Sequence, residues 1–294
     1  MVATQKNYEC QTIPSTEASF FFSRNLKEKE VTPRISVIIL AYRSGESIRD
    51  FIKSMVQSLE KNEPDWEIIL VGNYFAEDGD PTPGIVSEIA RNHPRIRAVT
   101  RIKKGMMGWD MKSGMEVATG RTIAVIDGDG QMPFENVIDV YKKLRDEGLD
   151  LAKTYRTTRG DGFYRKTISL IYNVIFNILF PGLNIRDINS KPKIITREAY
   201  DCMELKSNGW FIDAEIMIQA LRMNLKTGEI PTVFHPIDYR PSFIKLNHNS
   251  FKYLYFTNYF YYFSTYNNCI YFGAFIICKR CFFCNFFHFE TFCF

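Results

Sequence analysis

The sequence predicts an α/β fold in which a mostly parallel central sheet carries helices on both faces. Between residues 34 and 155, short apolar runs of strand type alternate with segments whose apolar residues recur at helical spacing. This alternation is typical of βαβ units, which place consecutive strands parallel to one another. The strand-like runs are apolar throughout, which indicates strands that are buried on both faces.

The elements follow in order. Apolar runs predict strands at 34–42, 66–71, 95–100, 123–127, 150–155 and 229–234. Helical spacing of apolar residues predicts helices at 46–61, 85–91, within 104–120, at 133–147, at 163–180 and from 210 onward. Pro133 is well placed as the first residue of its helix. Glycine, asparagine, aspartate and two prolines crowd into 72–83, and this predicts a loop.

We expect three parts in the 294 residues: a polar N-terminal extension (1–33), the α/β domain (34–250) and a tail (251–294). Tyrosine, phenylalanine and cysteine dominate the tail, which predicts a membrane-associated or disordered segment. The helix at 163–180 is unusually apolar, so it is either a buried packing helix or an amphipathic helix at a bilayer interface.

Composition excludes some classes of protein. The net charge of +4 is too mild for a dedicated nucleic-acid binder. Only Cys10 and Cys202 precede the tail, so we expect reduced cysteines and an intracellular protein. The first thirty residues contain no basic segment followed by a long apolar stretch, so we expect no secretory signal.

The most informative stretch is 123–131, where an apolar strand ends on Asp127 and Asp129. For these two residues alone, a polar turn after a strand is the ordinary interpretation. The carboxyl ends of parallel strands, however, are where α/β proteins bind ligands. Mg²⁺ typically takes one or two carboxylates and completes its shell with water and phosphate oxygens. The pattern therefore favours a metal-bridged diphosphate.

Several motifs together resemble those of the family 2 glycosyltransferases, in the branch similar to the dolichyl- and polyprenyl-phosphate mannosyltransferases. The resemblance covers residues 34–246. It rests on the opening strand (36–42), the glycine-punctuated helix (108–120), a D-x-D-x-Q motif (127–131), an acceptor-side loop (186–193) and an acidic acceptor-side motif (210–215). Two departures stand out, because Pro192 replaces an aromatic residue and Gly72-Asn73 replaces an acidic pair after the second strand.

The resemblance implies a GT-A fold and an inverting, metal-dependent hexosyltransferase that uses a GDP- or UDP-linked sugar. It implies Mg²⁺ or Mn²⁺ at Asp127 and Asp129, where the metal offsets the charge that develops on the leaving diphosphate. The implied nucleotide-sugar ligands are Ala41, Tyr42, Asn73, Gly108, Asp127 and Gln131.

For the acceptor, we expect a polyprenyl phosphate at the cytoplasmic face of a membrane, because two apolar segments are flanked by basic residues. The candidate phosphate ligands are Arg156, Arg159, Arg165 and Lys191. A hydroxyl acceptor would instead need a base, for which Asp213 is the candidate, although capping of a helix also explains an aspartate at that position.

Three alternatives stay open at this point. The first is a glycosyltransferase that acts on a saccharide hydroxyl. The second is a non-catalytic homologue that binds nucleotide sugars. The third is a nucleotidyl enzyme, but such enzymes need a glycine-rich loop after the first strand, and residues 43–46 contain one glycine.

Overall fold

A computed structural model describes residues 33–159 and 185–235, together with 173–174, 176–177 and 180–182. The chain divides into two units, 1–247 and 248–294, and all described residues lie in the first. Nearly all of the predicted extension, most of the apolar helix at 163–180 and the whole tail lie outside the described residues. The predicted domain boundaries therefore stay predictions.

The described residues form seven strands and six helices. The strands are β1 (Ile35–Leu40), β2 (Trp66–Val71), β3 (Ile96–Val99), β4 (Thr122–Asp127), β5 (Leu151–Arg159), β6 (Lys193–Thr196) and β7 (Thr227–Phe234). The helices are α1 (Ser47–Asn62), α2 (Thr82–Arg91), α3 (Met107–Met115), α4 (Asn136–Asp146), α5 (Arg197–Asp201) and α6 (Ile212–Arg222). In this part of the chain, every helix is too short or too polar to cross a membrane.

The strands form one sheet in the order β3-β2-β1-β4-β6-β5-β7. β1 pairs in parallel with β2 and β4, β2 with β3, and β5 with β7. Only β6 runs antiparallel to its neighbours, β4 and β5, among the pairings of the described strands. The predicted α/β class with a mostly parallel sheet is confirmed.

Helices cover both faces of the sheet because alternate residues of each strand point to opposite sides. On one face, Ile35, Val37 and Ile39 belong to a buried core that includes the apolar sides of α1 and α4. On the other face, α3 approaches so closely that a Cβ at Gly114 would lie 2.5 Å from the side chain of Ile38.

Three details differ from the sequence-based expectations. The sequence did not predict β6 and α5, since a four-residue strand that begins with a lysine carries little apolar signal. Pro133 is not the first residue of α4: its carbonyl accepts a hydrogen bond from the amide of Asn136, 3.2 Å away, where the helix begins. Cys202, directly after α5, is disulfide-bonded, so the expectation of reduced cysteines is wrong at this position.

A buried polar network joins β1, β2 and the turn before β4. The hydroxyl of Ser36 donates to a carboxylate oxygen of Glu67 over 2.5 Å and accepts from the amide of Gly120 over 2.7 Å. Burial raises the pKa of Glu67, but hydrogen bonds from Ser36 and Thr119 and the charge of Arg97 outweigh it and lower the pKa overall. The network fixes where β4 enters the sheet, and β4 leads directly into the turn with the two aspartates.

Because this turn packs against the backbone of β1, we expect Gly120→Ala to destabilise the protein by about 1–3 kcal/mol. A Cβ at residue 120 would lie 2.6 Å from the amide nitrogen of Ser36, which cannot move without disturbing the strand. Gly84→Ala in α2 is the matched control, since nothing lies within 4 Å of its Cβ position. The control should stabilise the protein by about 0.5–1 kcal/mol. Urea unfolding of both variants checks this, and equal effects would contradict it.

Candidate active site

The two aspartates stand at the carboxyl end of β4, in a turn that β1 supports from the side. The amide of Gly128 donates to the carbonyl of Leu40 over 2.9 Å, which continues the β1 pairing past the end of the strand. The side chain of Asp127 is 37% exposed. Asp129 accepts the amide of Gln131 at Oδ1 over 3.0 Å, which closes the turn. The carbonyl of Gln131 in turn accepts the amide of His235, 2.8 Å away.

Lys191, in the acceptor-side loop (186–193), contacts Asp127, the first of the two aspartates. Its Nζ lies 3.2 Å from both carboxylate oxygens of Asp127 and 3.0 Å from the sulfur of Met107. The side chain is only 3% exposed. Burial lowers the pKa of Lys191, but the charges of Asp127 and Asp213 outweigh burial and raise the pKa above its usual value. The ammonium group is therefore a fixed positive charge at the end of β4.

Asp213 lies in the first turn of α6 and is completely enclosed, with a side chain that is 1% exposed. The Nζ of Lys193 donates to its Oδ1, and the Nζ of Lys191 lies 3.4 Å from its Oδ2. Burial raises the pKa of Asp213, but the two lysines outweigh it, so the pKa lies below its usual value. The carboxylate pairs with lysines and does not cap the helix, so the capping explanation is wrong. The fold brings Lys191 and Asp213, which the sequence analysis assigned to the acceptor side separately, within 3.4 Å of each other.

The acceptor-side loop rests on charged residues of β5. The guanidinium of Arg156 binds the carboxylate of Asp187 with two hydrogen bonds, of 2.6 and 2.8 Å. The buried ammonium of Lys153 donates to the carbonyl of Asp187 and, over 3.0 Å, to Glu229. In this structure Arg156 therefore holds the loop, and its predicted role in binding phosphate stays a prediction. The side chain of Arg159 and the whole of Arg165 lie outside the described residues.

The predicted nucleotide end of the site lies at the ends of β1 and β2. Ala41 is buried, and its amide donates to the carbonyl of Val71 over 2.8 Å. Tyr42 presents its ring to the Nζ of Lys103, which lies 4.1 Å from the ring centroid. The ring of Phe75 meets Tyr42 edge-on, with 6.2 Å between centroids. An aromatic ring over a buried ammonium group forms a cation–π contact.

The side chain of Asn73 belongs to a buried hydrogen-bond network. Its amide nitrogen donates to Asp110 over 2.9 Å and to Ser113 over 2.7 Å, and its oxygen accepts the amide of Arg101 over 2.8 Å. Burial raises the pKa of Asp110, against the opposing charge of Lys103. The network docks α3 onto the sheet. A direct role for Asn73 in binding a nucleotide stays a prediction, as do the roles of Ala41 and Tyr42.

Acidic residues are present after β2, but later in the chain than the family pattern places them. A cavity of about 360 Å³ lies beside the ring of Phe75, and its lining includes Glu77, Asp78 and Asp80. Asp78 binds the guanidinium of Arg43, the residue after Tyr42, in a salt bridge. The β2–α2 loop therefore places carboxylates beside the end of β1, although the sequence after Val71 lacks the acidic pair.

Gly108 lies at the seam between α3 and the loop that precedes α6. Its amide donates to the carbonyl of Gly209 over 3.0 Å, and a Cβ at this position would lie 2.5 Å from the carbonyl oxygen of Ser207. Glu215 fixes that loop by accepting the amides of Lys206 and Ser207, at 2.9 and 2.8 Å. Only glycine fits this approach, and a contact of Gly108 with the nucleotide sugar stays a prediction.

The donor atoms fit a divalent cation that is shared with a ligand. Within the described ranges, no group of three histidine, cysteine, aspartate or glutamate side chains is placed to hold a metal. Asp127 and Asp129 place two carboxylates in the one turn that follows β4. Since Mg²⁺ is usually bound by one or two carboxylates plus phosphate oxygens and water, this set fits a metal that a diphosphate completes.

Sequence reasoning missed three charged residues of the site: Lys103, Asp110 and Lys193. All three are buried, and each pairs with an opposite charge. The sequence does contain a signal for Lys193. A lysine that begins a buried apolar strand needs a partner of opposite charge, because an unpaired lysine is almost never fully buried. Nothing comparable distinguishes Lys103 and Asp110 from ordinary surface charges.

Comparison with known proteins gives a consistent result. The model of glycosyl transferase family 2 matches residues 36–203. The chain is 26% identical over 212 residues to glycosyltransferase AglD of Haloferax volcanii, covering 69% of this chain and 33% of that protein. It is 24% identical over 258 residues to a dolichyl-phosphate beta-glucosyltransferase of Trichomonas vaginalis, covering 79% of this chain and 72% of that protein. The chain thus spans about a third of the length of the first relative and most of the second.

A solved structure shares the fold. Glucosyl-3-phosphoglycerate synthase from Mycobacterium tuberculosis, in complex with Mn²⁺, UDP and phosphoglyceric acid, superimposes with a TM-score of 0.54 at 16% identity. The match covers 71% of this chain and 72% of that one. The predicted GT-A fold is therefore confirmed.

The lysine pair yields a prediction about pH. Burial lowers the pKa of Lys193 to about 8, against the opposing charge of Asp213. Between that value and the usual lysine pKa of about 10.4, the unfolded chain binds more protons than the folded one, so stability rises with pH. We expect the free energy of unfolding of the wild type, relative to Lys193→Met, to rise by about 1–3 kcal/mol from pH 8 to pH 10. Urea unfolding at several pH values measures it, and a flat difference would contradict it.

Proposed function

This chain belongs to the family 2 glycosyltransferases, and we propose that it transfers a sugar, with inversion, from a nucleotide-diphosphate sugar to a polyprenyl phosphate. The similarity to a dolichyl-phosphate beta-glucosyltransferase supports a lipid-phosphate acceptor. The donor is GDP- or UDP-linked. The site of action is the cytoplasmic face of a membrane, where such an acceptor presents its head group.

The donor half of the proposal rests on the turn after β4. Asp129, with Asp127 beside it, would hold Mg²⁺ or Mn²⁺, which when bound would supply positive charge to offset that of the leaving diphosphate. The amide of Gln131 holds the carboxylate of Asp129 at a set position through a 3.0 Å hydrogen bond. A carboxylate fixed before the reaction needs no reorganisation during it, which favours the transition state.

The observation that carries the acceptor half is the enclosure of Asp213. Its carboxylate is 1% exposed and lies between the ammonium groups of Lys191 and Lys193. Two adjacent cations stabilise its ionised form and so make it a weak proton acceptor. A general base must also reach the proton that it removes. A phosphate acceptor requires no such base, because its nucleophilic oxygen is already ionised.

In this mechanism Asp213 is a positioning residue for the two lysines. It keeps their ammonium groups at the end of β4, beside the donor turn. Burying a lysine without a partner is costly, so the carboxylate of Asp213 lowers the cost of burying Lys193, while Lys191 is also paired with Asp127. We assign the binding of the acceptor phosphate to Arg159 and Arg165, while Lys191 stays paired with Asp127 and Asp213.

We expect Asp213→Asn to keep transfer to polyprenyl phosphate within about tenfold of the wild type, because no proton is removed by this side chain. Loss of a general base typically costs 10²–10⁴-fold. The assay supplies liposomes with and without polyprenyl phosphate, and also a soluble sugar alcohol, to the folded variant. Transfer to the soluble alcohol without lipid, abolished by Asp213→Asn, would replace this proposal with a hydroxyl-directed glycosyltransferase.

We also expect Asp129→Ala to lower turnover by at least about 10³-fold, since it removes the principal protein ligand of the cation. The residue lies in a turn outside the core, so the melting temperature should stay close to that of the wild type. Asp139→Ala, on the exposed side of α4, is the matched control and should leave turnover unchanged. A folded Asp129→Ala protein with normal activity would overturn the assignment.

A further inference from the structure

We propose that Arg186 is a further binding residue for the acceptor: its guanidinium, held over the ring of Tyr155, binds the phosphate group that the acceptor carries. The ligand class is a phosphate monoester, whether on a polyprenyl lipid or on a small soluble molecule. The inference rests on the proposed function only in that the acceptor carries a phosphate. The sequence motifs assign no role to Arg186, which begins the acceptor-side loop.

The other basic side chains around this loop form salt bridges with carboxylates of the protein. They are Lys153, Arg156, Lys191 and Lys193. Arg186 differs, because in the described part of the chain no carboxylate forms a salt bridge with it, and the residue is exposed. Its positive charge therefore stands at the surface of the loop, where a ligand can reach it.

Two contacts fix Arg186 without using its charged donors. Its backbone amide donates to Oε2 of Glu229 over 3.1 Å, and the carbon of its guanidinium lies 4.5 Å from the centroid of the Tyr155 ring. Both partners belong to the sheet, Tyr155 to β5 and Glu229 to β7. A cation–π contact holds a guanidinium and leaves its N–H groups for a ligand. Their planar arrangement matches two oxygens of a phosphate.

The register of the sheet places Tyr155 beside the donor turn. β4 and β5 both run antiparallel to β6, and Val125 and Lys153 both pair with Lys193. Two residues further along each strand, Asp127 and Tyr155 lie at the same height. Side chains alternate along a strand, so these two lie on the same face, about 10 Å apart across two strand spacings.

Lys191 lies between Asp127 and Tyr155. Its Nζ contacts Asp127, and its carbonyl accepts the hydroxyl of Thr154, the residue before Tyr155. In an inverting transfer, the nucleophile and the leaving group lie on opposite sides of the anomeric carbon. The transferred sugar must therefore separate the donor diphosphate from the acceptor phosphate. A phosphate on Arg186 meets this requirement, since it lies on the same face and edge of the sheet as the donor turn but apart from it.

The test measures binding of the full chain to phosphatidylcholine liposomes with and without polyprenyl phosphate, in the absence of donor and metal. We expect Arg186→Met to weaken the binding that depends on polyprenyl phosphate by at least about tenfold, because it removes the charged donors. Arg186→Lys should weaken it by about threefold, since lysine keeps the charge but not the planar group. The matched control is Arg95→Met, which removes an exposed arginine 5.2 Å from the ring of Trp66 and should change nothing.

Tyr155 is a positioning residue in this inference. Tyr155→Phe keeps the ring and should bind as the wild type does, whereas Tyr155→Leu should weaken phosphate-dependent binding by at least about threefold. Glycerol 3-phosphate distinguishes the two sources of the phosphate. If it binds the wild type without lipid and Arg186→Met abolishes this, the site takes soluble phosphate monoesters. If only the lipid binds through Arg186, the ligand is polyprenyl phosphate.

The inference is overturned if folded Arg186→Met binds polyprenyl phosphate as tightly as the wild type, or if the wild type binds neither phosphate. If Arg186→Met does not fold, Arg186→Lys decides, and binding equal to the wild type overturns the inference. Sugar transfer by the same preparations separates the two proposals. Binding through Arg186 without any transfer would end the proposed function alone. Transfer with an unchanged KM for the acceptor in Arg186→Met would end this inference alone.

Discussion

The interaction on which the site depends is the pairing of two buried lysines with two carboxylates. Lys191 bridges Asp127 and Asp213, and Lys193 holds the other oxygen of Asp213. Charges of this kind are costly to bury and remain only when each faces an opposite charge at short range. The four residues come from the end of β4, the acceptor-side loop, β6 and α6. Their pairing therefore sets the relative positions of the donor turn and the acceptor side.

This arrangement also shows how the fold and the chemistry share residues. Arg156 and Lys153 hold the loop that carries Lys191. The charge of Arg156 is paired with Asp187, and the charge of Lys153 is paired with Glu229. The donor turn is set by backbone hydrogen bonds from β1, which do not depend on charge. An environment of fixed dipoles and charges is the property that stabilises a developing charge most effectively in enzymes. Here the backbone hydrogen bonds of the sheet fix the dipoles on the donor side, and paired side chains fix the charges on the acceptor side.

The sequence predicted the parts of the fold that depend on apolar periodicity. β1, β2 and β4 are continuous buried runs, and the helices that cover them have clear apolar faces, so local pattern and final structure agree. β6 and α5 escaped prediction because they are short and owe their place to pairing with distant strands. The motif at Asp127 and Asp129 was visible because it ends a strong strand. The lysine pairs and the Asn73 network were not, since only the folded chain shows which charges meet.

The last strand of the sheet helps to hold the donor turn, which is the turn after β4. β7 ends at Phe234, and the next residue, His235, donates its amide to the carbonyl of Gln131 in the donor turn. The end of β7 is therefore joined by a backbone hydrogen bond to the turn that carries the aspartates. The donor turn is thus held by two strands that lie far apart in the sheet, β1 and the edge strand β7.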